Sequence, residues 1–211
     1  RNILILHKIF FMKKIVFVGS GAIGTAVGNV LARKGVDDIT LLSIEEEVVE
    51  SINNLRYNLT YFPNVKLSRN LKATTDINVL RDADVVFMAI PSTAVVGYLI
   101  SNKEYINPKS IIVNLAKGFG KCDSLIPHCL QDQFENPLMM MKGPSFAREI
   151  INRQDTGFTL ACSDNQYFSE VSELFENTNV RFDFSNDITG VELASILKNI
   201  YAIIIGMLDA N

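Results

Sequence analysis

The chain has 211 residues, 48% of them hydrophobic and 20% charged, a balance that excludes disordered and fibrous classes and allows one full domain with the start of a second. A formal net charge of −3, with 20 basic residues scattered along the chain, leaves no electrostatic footprint for nucleic acid. The three cysteines, Cys122, Cys129 and Cys162, are odd in number and lack metal-ligand spacing, so no disulfide framework and no metal site are expected, and a cytoplasmic setting is.

Residues 1–11 are apolar but interrupted by His7 and Lys8, and no small-residue cleavage site follows them. They read as an upstream extension outside the fold, because Met12-Lys13-Lys14 resembles a natural beginning. From Lys13 onward strand and helix patterns alternate, which is the mark of a Rossmann-like, doubly wound, mostly parallel α/β sheet. Ile15 to Val18 is continuously apolar, as a strand covered on both faces should be. A helix follows with Ala26, Val27, Val30 and Leu31 on one face, and Gly35 marks its end.

Ile39 to Leu42 reads as the second strand and Glu45 to Asn54 as a helix with acidic residues in its first turn. Further strands are expected near Lys72–Thr75, Asp84–Ile90 before Pro91, Ser110–Leu115, Leu138–Met141 and Phe158–Ala161, with a helix starting at Ser145. Residues 12–186 therefore form one dinucleotide-binding domain. After that a long apolar helix, capped by Asp187 or Thr189, runs to the last residue. Glu192 and Lys198 in its middle argue for a buried helix of a soluble protein and against membrane insertion. Residues 187–211 thus read as the first helix of an α-helical substrate domain that stops in mid-pattern, and its apolar face predicts aggregation or dimerisation unless further helices cover it.

The chemistry concentrates in a few places. Gly19-Ser20-Gly21-Ala22-Ile23-Gly24 follows a buried strand and opens an amphipathic helix. In that context the first glycine permits the tight turn, the second lets backbone approach a pyrophosphate, and the third allows close helix–strand packing. At the end of strand two, Leu42-Ser43-Ile44-Glu45 holds no arginine, and Glu45 is placed either to bind ribose hydroxyls or simply to start a solvated helix. Pro91, Lys117-Gly118 and Gly143-Pro144-Ser145 all stand at carboxyl ends of strands, where open α/β sheets bind ligands; Ser145 is expected to be an N-cap as well.

Lys198 shares a helix face with Gly190 and Ala194, which leaves room for a ligand. Desolvation there would bring an ammonium toward useful acid–base range, although snorkelling or a core ion pair with Glu192 explains the spacing equally well. Met139, Met140 and Met141 read as strand filling, and His7 and His128 have no triad partners.

Together these motifs, with Asn70-Leu71-Lys72-Ala73-Thr74-Thr75-Asp76, Phe87 to Ser92, Phe146-Ala147, Gly190 to Ala194 and Leu197-Lys198-Asn199, closely resemble the bacterial-type NAD(P)-dependent glycerol-3-phosphate dehydrogenases from Met12 to Asn211. The resemblance implies reversible hydride transfer between a nicotinamide coenzyme and dihydroxyacetone phosphate, giving the sn-glycerol 3-phosphate used for phospholipid synthesis. It further implies Lys198 as the catalytic proton donor, Lys117, Gly143 and Ser145 as substrate contacts, and Gly19, Ser20, Gly21, Ile23, Gly24, Glu45, Pro91, Lys117 and Ala147 as coenzyme contacts. Ile23 stands where the family commonly has an aromatic residue, and Ile44 where relatives using NADPH carry an arginine, so NAD is in play beside NADP. The resemblance places the groups that hold the substrate phosphate, an Arg-Asn pair among them, on further C-terminal helices that the 211 residues do not include, so the chain is expected to bind a dinucleotide with little turnover. A nucleotide-binding remnant, or another dehydrogenase of the 6-phosphogluconate or hydroxyacyl type, is the competing reading.

Overall fold

The computed structural model describes residues 12–35, 37–120 and 124–209. The extension read over residues 1–11 and the cysteine at 122 lie outside them. The apolar runs form one eight-stranded sheet of β1 (Lys14–Val18), β2 (Asp38–Leu42), β3 (Leu71–Thr74), β4 (Val85–Met88), β5 (Ile111–Asn114), β6 (Leu138–Lys142), β7 (Thr156–Ala161) and β8 (Val180–Ser185). Its order is β3-β2-β1-β4-β5-β6-β7-β8, parallel except where β6 meets β7.

The order in which strands are added reverses between β1 and β4, a parallel pair whose facing residues Phe17 and Phe87 stack at 4.5 Å and are both fully buried. A stacked aromatic pair contributes about 0.5–1.5 kcal/mol beyond its area, so the sheet is pinned at the point where a crevice opens outside its carboxyl edge.

One face of the sheet is covered by α1 (Ala22–Lys34), α5 (Ala147–Ile151) and α6 (Asn165–Leu174), the other by α3 (Ser92–Ser101) and α4 (Ile126–Leu130). Helix α1 ends as expected at Gly35, which is left-handed at φ 72°. The Asn70 amide donates to its late carbonyl at Ala32 (3.2 Å).

The elements depart from expectation in three ways. The helix expected over Glu45 to Asn54 is α2 (Glu46–Glu50) followed by one π-helical turn, Ser51–Leu55. The widening coincides with Asn53 turning its side chain to edge strand β3, where it donates to the Ala73 carbonyl and accepts the Ala73 N–H, both at 2.9 Å. Strand β8 and helices α3, α4 and α6 were not expected from the sequence. Finally, α7 (Ile188–Asp209) is not the buried helix that its composition predicts: Leu193, Leu197, Ile200, Tyr201, Ile203 and Ile204 are exposed. Among the described residues only its first turns meet the sheet, through β6 and β7. By length and composition alone it is apolar enough to cross a membrane. Asp187 provides the cap, accepting the Gly190 N–H at 2.8 Å.

Candidate active site

The glycine turn is shaped by packing as much as by phosphate geometry. Gly19 sits at φ 110°, and a Cβ there would meet the Ala89 carbonyl oxygen at 2.7 Å. A Cβ on Gly24 would fall inside the Gly19 carbonyl oxygen and 3.1 Å from the Ala89 Cβ. Gly21 differs, because its Cβ would meet only the Tyr61 ring, at 3.9 Å. The second glycine thus borders open space and the third fills a contact, as their spacing predicts. No side chain caps α1, so its first amides, which have no partner within the helix, face that space.

Residues outside the motif hold this turn rigid. The Asn58 amide donates to the Ser20 carbonyl (2.8 Å) and to Thr25 Oγ1 (2.9 Å), and Thr25 Oγ1 donates to the Ser20 carbonyl (3.0 Å). The Ser20 hydroxyl pairs with the Ser43 hydroxyl at 2.7 Å, which ties the turn to the end of β2. Asn58 lies in a loop with no periodic signal, which is why the pattern passes over it.

Three adjoining cavities follow the carboxyl edge. The first, of about 520 Å³, is lined by Gly19, Ser20, Gly21, Ile44, Glu45 and Pro91 among others. Ile44 is 97% exposed at its rim, and no cation stands beside Glu45. The second, about 480 Å³, shares Gly21, Tyr61 and Pro91 with the first and adds Ile23, Ser145, Phe146 and Ala147. Lys117 borders it and also the third, about 200 Å³, where Lys142, Gly143, Ala194, Ser195 and Lys198 meet. Of the residues read from the sequence as catalytic, substrate or coenzyme contacts, every one lines one of these cavities except Gly24, which is buried and acts through packing.

The Ser145 assignment needs correcting in part. Helix α5 starts at Ala147, its N-cap is Phe146, and no side chain caps it. Ser145 is instead buried in the extended approach to the helix, with its hydroxyl directed to the Gly143 carbonyl at 3.5 Å and its own carbonyl accepting from Lys117 Nζ at 3.3 Å. Gly143 lets β7 come close, since a Cβ there would lie 2.5 Å from the Gly157 carbonyl oxygen.

Lys198 reaches over the Phe146 ring, 5.4 Å from its centroid. The core ion pair with Glu192 allowed by their spacing is not formed, for both Glu192 carboxylate oxygens are without hydrogen-bond partners. Desolvation lowers the Lys117 ammonium, and the charge of Lys198 lowers it further. Lys142 is lowered to about 8, by burial first, with Glu192 pulling it back up and Lys117 pressing it down. Burial raises the Glu192 carboxyl, against the pull of Lys142, the Ile126 amide and His128. Lys142 escapes a sequence reading because it looks like the end of an apolar strand.

Among the described residues no three His, Cys, Asp or Glu side chains gather as a metal site. The open helix terminus, the unblocked approach at Gly21 and the acidic residue at the end of β2 are the features a dinucleotide requires, and the lysine cluster beyond them suits an anionic substrate.

A family model described as NAD-dependent glycerol-3-phosphate dehydrogenase N-terminus matches residues 14–168. The chain is 37% identical over 202 residues to the NAD(P)+ glycerol-3-phosphate dehydrogenase of Leptospira biflexa, a match covering 93% of this chain and 60% of that one. The Bacillus subtilis enzyme of the same name is 35% identical over 205 residues, covering 94% and 59%. A crystal structure of glycerol-3-phosphate dehydrogenase from Coxiella burnetii superposes with a TM-score of 0.87 at 30% identity, over 95% of this chain and 62% of that one. The chain therefore spans about three fifths of the length of these relatives.

Proposed function

The chain belongs to the NAD-dependent glycerol-3-phosphate dehydrogenase family, and on that premise we propose that it interconverts dihydroxyacetone phosphate and sn-glycerol 3-phosphate with a nicotinamide coenzyme. The observation that carries the reading is the continuity of the crevice, which leads from the glycine turn, past Pro91 and Ala147, to Lys117 and Lys198. In this reading residues 12–186 hold the coenzyme in the cytoplasm, and the helix beginning at Asp187 brings in the catalytic lysine.

Backbone amides at Gly21 to Ile23 would hold the coenzyme pyrophosphate, Glu45 the adenosine ribose, and Ile23, Pro91 and Ala147 the nicotinamide half. Bound there, the coenzyme supplies or accepts the hydride. Lys198 Nζ donates its proton to the carbonyl oxygen of dihydroxyacetone phosphate and takes it back in the reverse direction, while Lys117 fixes that oxygen's neighbour. Phe146 and Phe158 present apolar surface to the cavity beside Lys117. Ile44 offers nothing to a 2′-phosphate, which favours NAD over NADP.

Thermal unfolding tests this without requiring turnover. NADH at about a hundred times its Kd should raise Tm by roughly 5–10 °C, and NADPH by less. Dihydroxyacetone phosphate should raise it further only when NADH is present, and 6-phosphogluconate should not. An unchanged Tm with both coenzymes would remove the reading.

A further inference from the structure

Two buried ionisable side chains have no part in this chemistry. Lys142 closes β6 with 3% of its surface exposed, and Glu192 occupies the second turn of α7 with 1% exposed. The Lys142 ammonium donates to the carbonyl of Ala116, the residue immediately before Lys117. It borders the same cavity as Lys117 and Lys198. Both Glu192 carboxylate oxygens are buried without a well-formed hydrogen bond among the described residues, and the groups that act on them are Lys142, the Ile126 amide and His128.

A carboxylate and an ammonium buried without direct contact are a costly arrangement, and apolar side chains of similar volume often serve a fold as well or better. Packing therefore does not account for them; their placement does. The charges run in series: Glu192 faces Lys142, His128 and the Ile126 amide, Lys142 faces Glu192 and Lys117, and Lys117 faces Lys198. We infer that Lys142 and Glu192 are a positioning pair for the two lysines of the proposed active site, Lys142 fixing the Lys117 loop through the Ala116 carbonyl and Glu192 supplying the counter-charge that lets three ammonium groups share one cavity. Three ammonium groups less one carboxylate leave two positive charges, the complement of a phosphate-monoester dianion. The direction of the shifts agrees: burial first and then the charge of Lys117 lower Lys142, with Glu192 opposing them, while burial and the charge of Lys198 lower Lys117.

The inference rests on the proposed function only in naming Lys117 and Lys198 as the working groups, and its test needs no catalysis. Lysine side chains of the labelled 211-residue chain are titrated by NMR in the wild type, Lys117→Met and Glu192→Gln. Glu192→Gln should move the Lys142 midpoint down and Lys117→Met should move it up, each by about one pH unit. A Lys142 midpoint that stays at its wild-type value in folded Lys117→Met, whatever happens to Tm, would reduce Lys142 to a packing residue and overturn the inference. Should Lys117→Met not fold, an unmoved Lys142 midpoint in Glu192→Gln overturns it equally. Either failure leaves the coenzyme and substrate effects on Tm standing, and loss of those effects leaves these midpoints intact.

Discussion

On the proposed function, Lys198→Ala is expected to lower whatever kcat the chain has for dihydroxyacetone phosphate reduction by about 10²- to 10⁴-fold, the range contributed by a positioned proton donor, while the Kd for NADH changes less than about twofold. The split follows from where the side chain is. Lys198 lines the third cavity with Lys142, Gly143 and Ala194, and does not line the two cavities that the glycine turn and Pro91 border. Loss of its charge also relieves Lys117, whose ammonium it holds down. The surviving activity should therefore have its basic limb moved to higher pH. Steady-state kinetics beside NADH titration measures both quantities. A variant that keeps its kcat, or that loses coenzyme affinity as severely as turnover, would show that Lys198 is not the proton donor.

Gly24→Ala is expected to damage binding and fold together, and Gly21→Ala binding alone. At Gly24 the added methyl meets the Gly19 carbonyl and Ala89, so the turn and β4 must separate before helix α1 can seat. Backbone displacement of this kind costs about 1–3 kcal/mol, which corresponds to a Tm loss of roughly 2–12 °C for a chain of this length. Because the displaced atoms are those that meet the phosphates, NADH affinity should fall by about 10- to 100-fold. At Gly21 a methyl has room in the free protein, its nearest neighbour being Tyr61 at 3.9 Å. That methyl occupies the space through which a pyrophosphate approaches, so affinity should fall by a similar factor while Tm stays within a degree or two. Calorimetry and thermal melts on the two variants separate the cases, and equal Tm losses would refute the division of labour between the glycines.

Much of the sheet was legible because parallel strands covered on both faces read as unbroken apolar runs. Val85, Val86, Phe87 and Met88 are all completely buried, and the Met139 to Met141 run is strand filling, as read. Strand β8 carries the other strand signal and was missed: it is an edge strand in which Phe182 and Phe184 alternate with Arg181 and Asp183, a pattern unlike the unbroken apolar runs of its neighbours. Helix α3 was hidden by Pro91, which stops β4 and at the same time is the N-cap of the helix, and by an apolar composition with little facial bias. The Ser145 error has a similar source. A serine after Gly-Pro resembles a cap, but its burial and the Lys117 contact hold the backbone extended for two more residues.

The glycine turn was legible in the candidate site because its strand, turn and helix are contiguous in sequence. Asn58, Tyr61, Lys142 and Glu192 were not, since what they do depends on contacts brought together only by the tertiary fold. A buried lysine ending a methionine-rich strand and a glutamate on an apolar helix carry no local signal of facing one another.

The central claim is that a coenzyme pyrophosphate rests on the opening turn of α1. An amide NMR titration of the 211-residue chain with NADH tests it at the residues concerned. The account predicts saturable shifts at Gly19, Ser20, Gly21, Ala22, Ile23 and Gly24, with Ala147 and Lys117 following and β8 unmoved. A folded spectrum in which the amides of residues 19–24 stay still at saturating NADH, or in which the shifts gather elsewhere, would contradict it.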